Sequence, residues 1–130
     1  MNTHIEGREV TINKPRQAVY DHLSVPANFK DIMPEDVNRF EAGEDWFLFE
    51  LKGIPAVKMK VAELNAPESI TLKSASDKLT FQLIGTLSDN GDSTNARLKF
   101  EGDFNPMLKM MVSKPLTNFL GKLSDQLEKL

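Results

Sequence analysis

The sequence predicts an α+β domain in which a curved antiparallel sheet of six or seven strands wraps around one long C-terminal helix, with two short helices after the first strand. Three observations predict it. From residue 105 to the end, Leu108, Met111, Val112, Leu116, Phe119, Leu120, Leu123, Leu127 and Leu130 recur at intervals of three and four, which makes one broad apolar stripe on a helix. Between residues 36 and 104 the apolar period is two instead, the spacing of half-buried strands. Earlier still, Pro15 and Pro26 each open a short helical pattern, so helices interrupt the sheet once and early.

Taken in order, residues 5–13 read as a strand with Val10 and Ile12 on one face and Glu9, Thr11 and Asn13 on the other. Pro15 suits the first turn of a helix running to Leu23, with Ala18, Val19 and Leu23 turned inward. Pro26 opens a second helix that carries Phe29, Ile32 and Met33 and is closed by Pro34. Strands follow at 37–41, 45–52, 56–64, 69–74, 78–87 and 94–104. Their turns contain Gly43 and Glu44, then residues 53–55 with a Gly and a Pro, then Asn65 to Pro67, then Ser76 and Asp77. Asn90 followed by Gly91 marks the last hairpin, because that pair tolerates the positive φ a tight turn requires. Apolar residues alternate with polar ones along most of these strands, so one sheet face is expected to be wet. A twisted sheet of this size tends to curl. Asn105 is suited to cap the long helix and Pro106 to occupy its first position, where a missing N–H costs nothing. Pro115 and Gly121 interrupt that helix, and a bend is expected near Lys114.

Composition narrows the function classes. A chain of 130 residues without low-complexity stretches is expected to form a single domain, residues 1–130. Its net charge of −3 and the absence of a clustered basic face argue against a nucleic-acid partner. Lys58 and Lys60 alternate with apolar residues, as solvent-facing strand positions do. There is no cysteine, which excludes disulfides and thiolate chemistry. Residues 1–9 lack a signal-peptide core, and no window approaches the roughly 18 uncharged residues of a bilayer span, so a cytoplasmic protein without stable membrane insertion is expected.

Few residues carry recognisable chemistry. His4 and His22 have no neighbouring carboxylate at a known ligand spacing, and Asp21 beside His22 projects in another direction on a helix. The acidic stretch Glu35, Asp36, Glu41, Glu44 and Asp45 lacks the spacing of an EF-hand loop. No cofactor and no metal site is therefore expected. Trp46, Leu48 and Ile84 fall on the outer sheet face by alternation, which makes that face a candidate contact for a partner or for a second copy in a homodimer.

The order of elements resembles the helix-grip superfamily, which includes the Bet v 1-like allergens, START lipid-transfer domains and polyketide cyclase/dehydrase-like proteins. The stretches that carry the resemblance are Val10 to Tyr20 entering the first helix, Asn28 to Pro34 in the second, and Gly91 to Thr94 ahead of Arg97 and Leu98. The chain is also similar to the subgroup of that superfamily linked to carbon monoxide dehydrogenase, at Pro34, at Leu51 to Gly53 and at Pro67 to Ser69. The resemblance implies a cavity between the concave sheet face and the C-terminal helix. The inward positions supply its lining: Phe47, Phe49, Leu51, Val57, Met59, Val61, Leu72, Phe81, Leu83, Leu98 and Phe100 from strands, with Ile70 and Leu79 beside them. Met111 and Phe119, with Met107 and Leu108, are expected to face it from the helix. This inventory contains no ionisable group, so the expected partner is a hydrophobic small molecule or lipid held by shape. Two alternatives stand beside it. One is a cyclase- or dehydrase-type enzyme acting on a hydrophobic carbonyl compound, which would have to recruit polar groups such as Tyr20 or Asp31. The other is an accessory interaction protein whose cavity is collapsed.

Overall fold

Residues 2–51, 56–75 and 80–130 are described by the computed structural model. The expected turn at 53–55, the turn at Ser76 and Asp77, and Leu79 lie outside these residues. The elements in order are β1 (Asn2–Glu6), β2 (Val10–Ile12), α1 (Arg16–Leu23), a 3₁₀ helix (Pro26–Ile32), β3 (Val37–Ala42), β4 (Trp46–Leu51), β5 (Val57–Asn65), β6 (Ser69–Ser74), β7 (Phe81–Asn90), β8 (Ser93–Asp103) and α2 (Pro106–Glu128). Strands β3 to β8 form an antiparallel meander, and β1 and β2 return to pair with β8, so the order across the sheet is β1-β8-β7-β6-β5-β4-β3. Helix α2 lies on the inner face against β1, β2, β8 and the 3₁₀ helix, which is the helix-grip arrangement.

Among the described residues the strands number eight because the first segment is two strands, broken at Gly7. The Gly7 amide still donates to the Leu98 carbonyl at 2.8 Å, yet a Cβ there would lie 2.8 Å from Ser124 Oγ and 3.1 Å from Leu98 O. At Gly7 the sheet edge and α2 thus approach each other closely, and a residue without a side chain accommodates the approach without displacement. Ser124 is the matching small residue on α2; its hydroxyl is buried and donates to Leu120 O at 2.9 Å.

Two register shifts help to bend the sheet, between Val37 and Arg39 on β3 and between Val61 and Glu63 on β5. The second ends the clean alternation of β5, so Val61 is half-buried and Leu64 stands 45 % exposed. The second short helix is 3₁₀, not α: the Asn28 amide donates to Val25 O and the Met33 amide to Lys30 O, three residues back. Gly91 takes φ +74° as the first residue of a two-residue hairpin loop, with Asn90 paired to Ser93.

Helix α2 begins as its sequence dictates, with the Asn105 side chain accepting from the Leu108 amide at 2.8 Å and Pro106 in the first turn. It runs through Pro115 as one element. Pro115 has no N–H for the Met111 carbonyl, and on either side hydroxyls back-bond within the helix, Ser113 Oγ to Lys109 O at 2.5 Å and Thr117 Oγ1 to Ser113 O at 2.6 Å. No helix among the described residues is long and apolar enough to cross a membrane.

Candidate functional site: the interior between the sheet and α2

Eleven of the thirteen expected lining residues are buried in one core cluster: Phe47, Phe49, Leu51, Val57, Met59, Leu72, Phe81, Leu83, Leu98, Phe100 and Phe119. Val61 packs against that cluster from its edge. Met111 does not face the interior; it is 60 % exposed. At about 100° per residue Met111 is rotated away from its neighbour Val112, which is the residue that α2 turns inward at this level. Met107, 75 % exposed, departs from the expected inward set for the same reason, and Leu108 packs only partly against the core.

The phenylalanines form a single connected network. Phe29 stacks on Phe47 at 4.7 Å between ring centroids, and Phe40 lies 5.7 Å from Phe47. The path continues through Phe49 to Phe119, stacked at 4.8 Å, and from Phe119 to Phe100 at 6.4 Å. Phe81 then meets Phe100 edge-on at 5.3 Å and Phe104 at 6.4 Å. All eight phenylalanines of the chain take part. Such ring pairs contribute about 0.5–1.5 kcal/mol each beyond the area they bury.

These rings leave little space. One apolar pocket within the core has a volume of about 10 Å³, the room of one water molecule at most. It sits toward α1 and the 3₁₀ helix, lined by Leu23, Phe29 and Leu127 together with β6, β7 and β8 residues such as Leu72, Leu83 and Leu98. Leu23, Phe29 and Leu127 do not belong to the strand alternation from which the lining is expected. Their only signal in the sequence is an inward place on each helical stripe.

A larger space opens at the surface beside Pro115. Asp36, Leu51, Lys114, Pro115, Asn118, Phe119 and Lys122 surround a cleft of about 220 Å³. Leu51 and Phe119 belong to the interior as well, so the cleft reaches the aromatic network through them. An ion pair from Lys122 Nζ to Asp36 Oδ2, 2.7 Å, joins α2 to the segment that precedes β3 and borders this cleft. Asp36 and Lys122 also line a second cleft of about 350 Å³ with Pro34, Glu35, Asp125, Gln126 and Lys129.

The histidine–carboxylate pairs lie outside the core. His22 Nε2 is 2.9 Å from Asp31 Oδ2 without the alignment of a hydrogen bond, and the Asn28 side-chain Nδ2 donates to the His22 carbonyl at 2.9 Å. That pair joins α1 to the 3₁₀ helix and does not line that apolar pocket. His4 Nδ1 meets Glu101 Oε1 at 2.9 Å, across the β1–β8 pairing. Tyr20 is buried in the core, and Asp31 is on the surface. No three His, Cys, Asp or Glu among the described residues are grouped to hold a metal ion. On the outer sheet face Trp46, Leu48 and Ile84 are half-buried. The Trp46 indole folds over Gly43, where a Cβ would collide with it, and Lys58 Nζ stands 4.4 Å from its ring, a cation–π contact.

No family model matches the chain, and no curated protein matches it in sequence. Solved structures do match in shape. Norcoclaurine synthase from Thalictrum flavum, in complex with dopamine and hydroxybenzaldehyde, is similar with a TM-score of 0.75 and 17% identity, over 99% of this chain and 86% of that one. KanY is similar with a TM-score of 0.76 and 14% identity, covering 99% and 97% of the two chains. The major latex-like protein 151 of Panax ginseng follows with 0.68, 10% identity, and coverage of 98% and 96%. The chain therefore has the Bet v 1-like helix-grip fold.

Proposed function

We propose that this Bet v 1-like chain binds one apolar small molecule or lipid between its sheet and α2, and that the ligand takes its place by displacing Phe119. The observation that carries this reading is the double position of Phe119, whose ring is packed between Phe49 and Phe100 in the core while the residue also lines the cleft beside Pro115. Rotation of one side chain would connect a surface cleft of about 220 Å³ with a lining made of aromatic and aliphatic groups. Affinity would come from apolar burial at about 25 cal/mol per Å², with few hydrogen bonds to select the ligand. The solved relatives add support at the level of fold, since the norcoclaurine synthase structure holds dopamine and hydroxybenzaldehyde.

The closed interior sets a cost. If the open arrangement is populated at about 1 %, the apparent affinity falls about a hundredfold, equivalent to about 2.7 kcal/mol. A second reading is favoured by that same closure: a cavity of about 10 Å³ suits an interaction protein whose interior is permanently filled. A cyclase- or dehydrase-type reaction would require an acid and a base converging on the interior, and the His22–Asp31 pair lies away from it.

Titration of the protein with N-phenyl-1-naphthylamine separates the two readings. Saturable uptake at one probe per chain, reversed by competing apolar compounds, is expected of the ligand-binding protein. A folded protein that takes up no probe supports the filled interior instead.

A further inference from the structure

We propose that the first two turns of α2 are a docking surface for an anionic lipid bilayer. This inference is independent of whether the interior holds a ligand. Met107, Met110 and Met111 are 75 %, 84 % and 60 % exposed, and the remaining large exposed apolar residues among those described, Val25 and Leu64, lie apart from them in sequence. At about 100° per residue the three methionines lie on the side of α2 away from buried Val112 and Leu116. A helix that turns one apolar face to the core and presents a second apolar face to solvent has a further partner to satisfy.

Charge identifies that partner. Between Phe104 and Ser124 the sequence contains Lys109, Lys114 and Lys122 and no Asp or Glu, in a chain whose net charge is −3. Lys109 and Lys114 are exposed; Lys109 lies between Met107 and Met110 in sequence, and Lys114 follows Met111 by three residues. Asp103 is the acidic residue nearest the methionines in sequence, and it borders the open groove that also contains Phe104, Pro106, Lys109 and Met110. Flexible apolar side chains flanked by lysines match a bilayer interface, where the methionines enter the acyl boundary and the ammonium groups remain among anionic headgroups. A second copy of the chain fits less well. Three methionine side chains offer roughly 400 Å², about half of the ~800 Å² that each partner buries in a stable dimer. Two copies would also bring lysine against lysine.

The test is co-sedimentation with vesicles of phosphatidylcholine alone and of phosphatidylcholine mixed in equal parts with phosphatidylglycerol. The wild-type protein is expected to sediment with the mixed vesicles, weakly with the neutral ones, and less as salt is raised. The M107Q/M110Q/M111Q variant should bind the mixed vesicles at least about tenfold more weakly, since it loses the inserted apolar area. K109Q and K114Q should each cost about fivefold, equivalent to ~1 kcal/mol per lysine near an anionic surface. All five positions are exposed, so circular dichroism and melting temperature should be unchanged in every variant. Absence of wild-type binding to the mixed vesicles, equal binding to both vesicle types, or full binding by the methionine variant would each overturn the proposal. So would a dimer in solution that the methionine substitutions dissolve, because it would identify a second copy as the occupant.

Discussion

Replacing Phe119 with alanine perturbs the centre of the aromatic network. The ring is 2 % exposed, stacks on Phe49 at 4.8 Å and lies 6.4 Å from Phe100. Truncating a ring so placed removes its transfer free energy and leaves a void, a loss of about 3–5 kcal/mol. For a domain with a total stability of about 5–15 kcal/mol this is a large fraction but leaves the chain folded at the upper end of the range. The melting temperature should fall by about 10–20 °C, at about 3–5 °C per kcal/mol for a chain of this length. The void has roughly the size of a benzene ring, on the order of 100 Å³, and its walls are Phe49, Phe100 and their apolar neighbours, so it should stay dry. Benzene or indole should therefore bind Phe119→Ala and raise its melting temperature, by about 2.7 kcal/mol of stabilisation at a hundred times the dissociation constant. Wild-type protein should bind the same compounds more weakly, because they must first displace the ring. Differential scanning fluorimetry with and without indole reads both quantities. A loss below about 1 kcal/mol would refute the packing argument, since truncations of buried rings cost several times that. A destabilised variant that gains no affinity for indole would refute the claim that Phe119 closes a ligand site.

Two further substitutions test the helix on which that ring sits. Pro115→Ala restores an N–H for the Met111 carbonyl and should raise the melting temperature; if the proline holds the cleft open, the variant should also take up N-phenyl-1-naphthylamine more weakly, and unchanged uptake in a folded variant would count against that role. Gly7→Ala places a Cβ 2.8 Å from Ser124 Oγ and 3.1 Å from Leu98 O, so it should cost about 1–3 kcal/mol in chemical denaturation. Adding Ser124→Ala removes one of the two clashes and should recover part of that loss, whereas strictly additive effects would show that α2 and the β1–β2 break do not touch as described.

Elements whose identity is set by local chemistry were legible in the sequence. Asn105 and Pro106 fix the start of α2 through a cap bond and a fixed φ, both of which depend on neighbours within one turn. The apolar alternation of β4 likewise places Phe47, Phe49 and Leu51 inward and Trp46 and Leu48 outward. Features that depend on distant partners were not legible. Gly7 reads as an ordinary position at the head of one strand until Ser124 is seen to occupy the space a side chain would need. The drift of β5 after Val61 follows from its register with β6, which the sequence of β5 alone does not contain. Met111 belongs to the apolar spacing of α2 but is rotated off the side that meets the core, and spacing by threes and fours is too coarse to resolve that angle. The degree of filling is the least legible property, because it depends on which rotamers eight rings adopt against one another, and the same apolar inventory describes an open cavity and a closed one.

Native mass spectrometry of the freshly purified protein, followed by extraction of anything bound, tests ligand binding most directly. A reproducible apolar adduct at one per chain, retained at equal or higher occupancy in Phe119→Ala, is the predicted result. Bare protein that also refuses apolar probes would contradict it and would assign this fold, in this chain, to a permanently filled core.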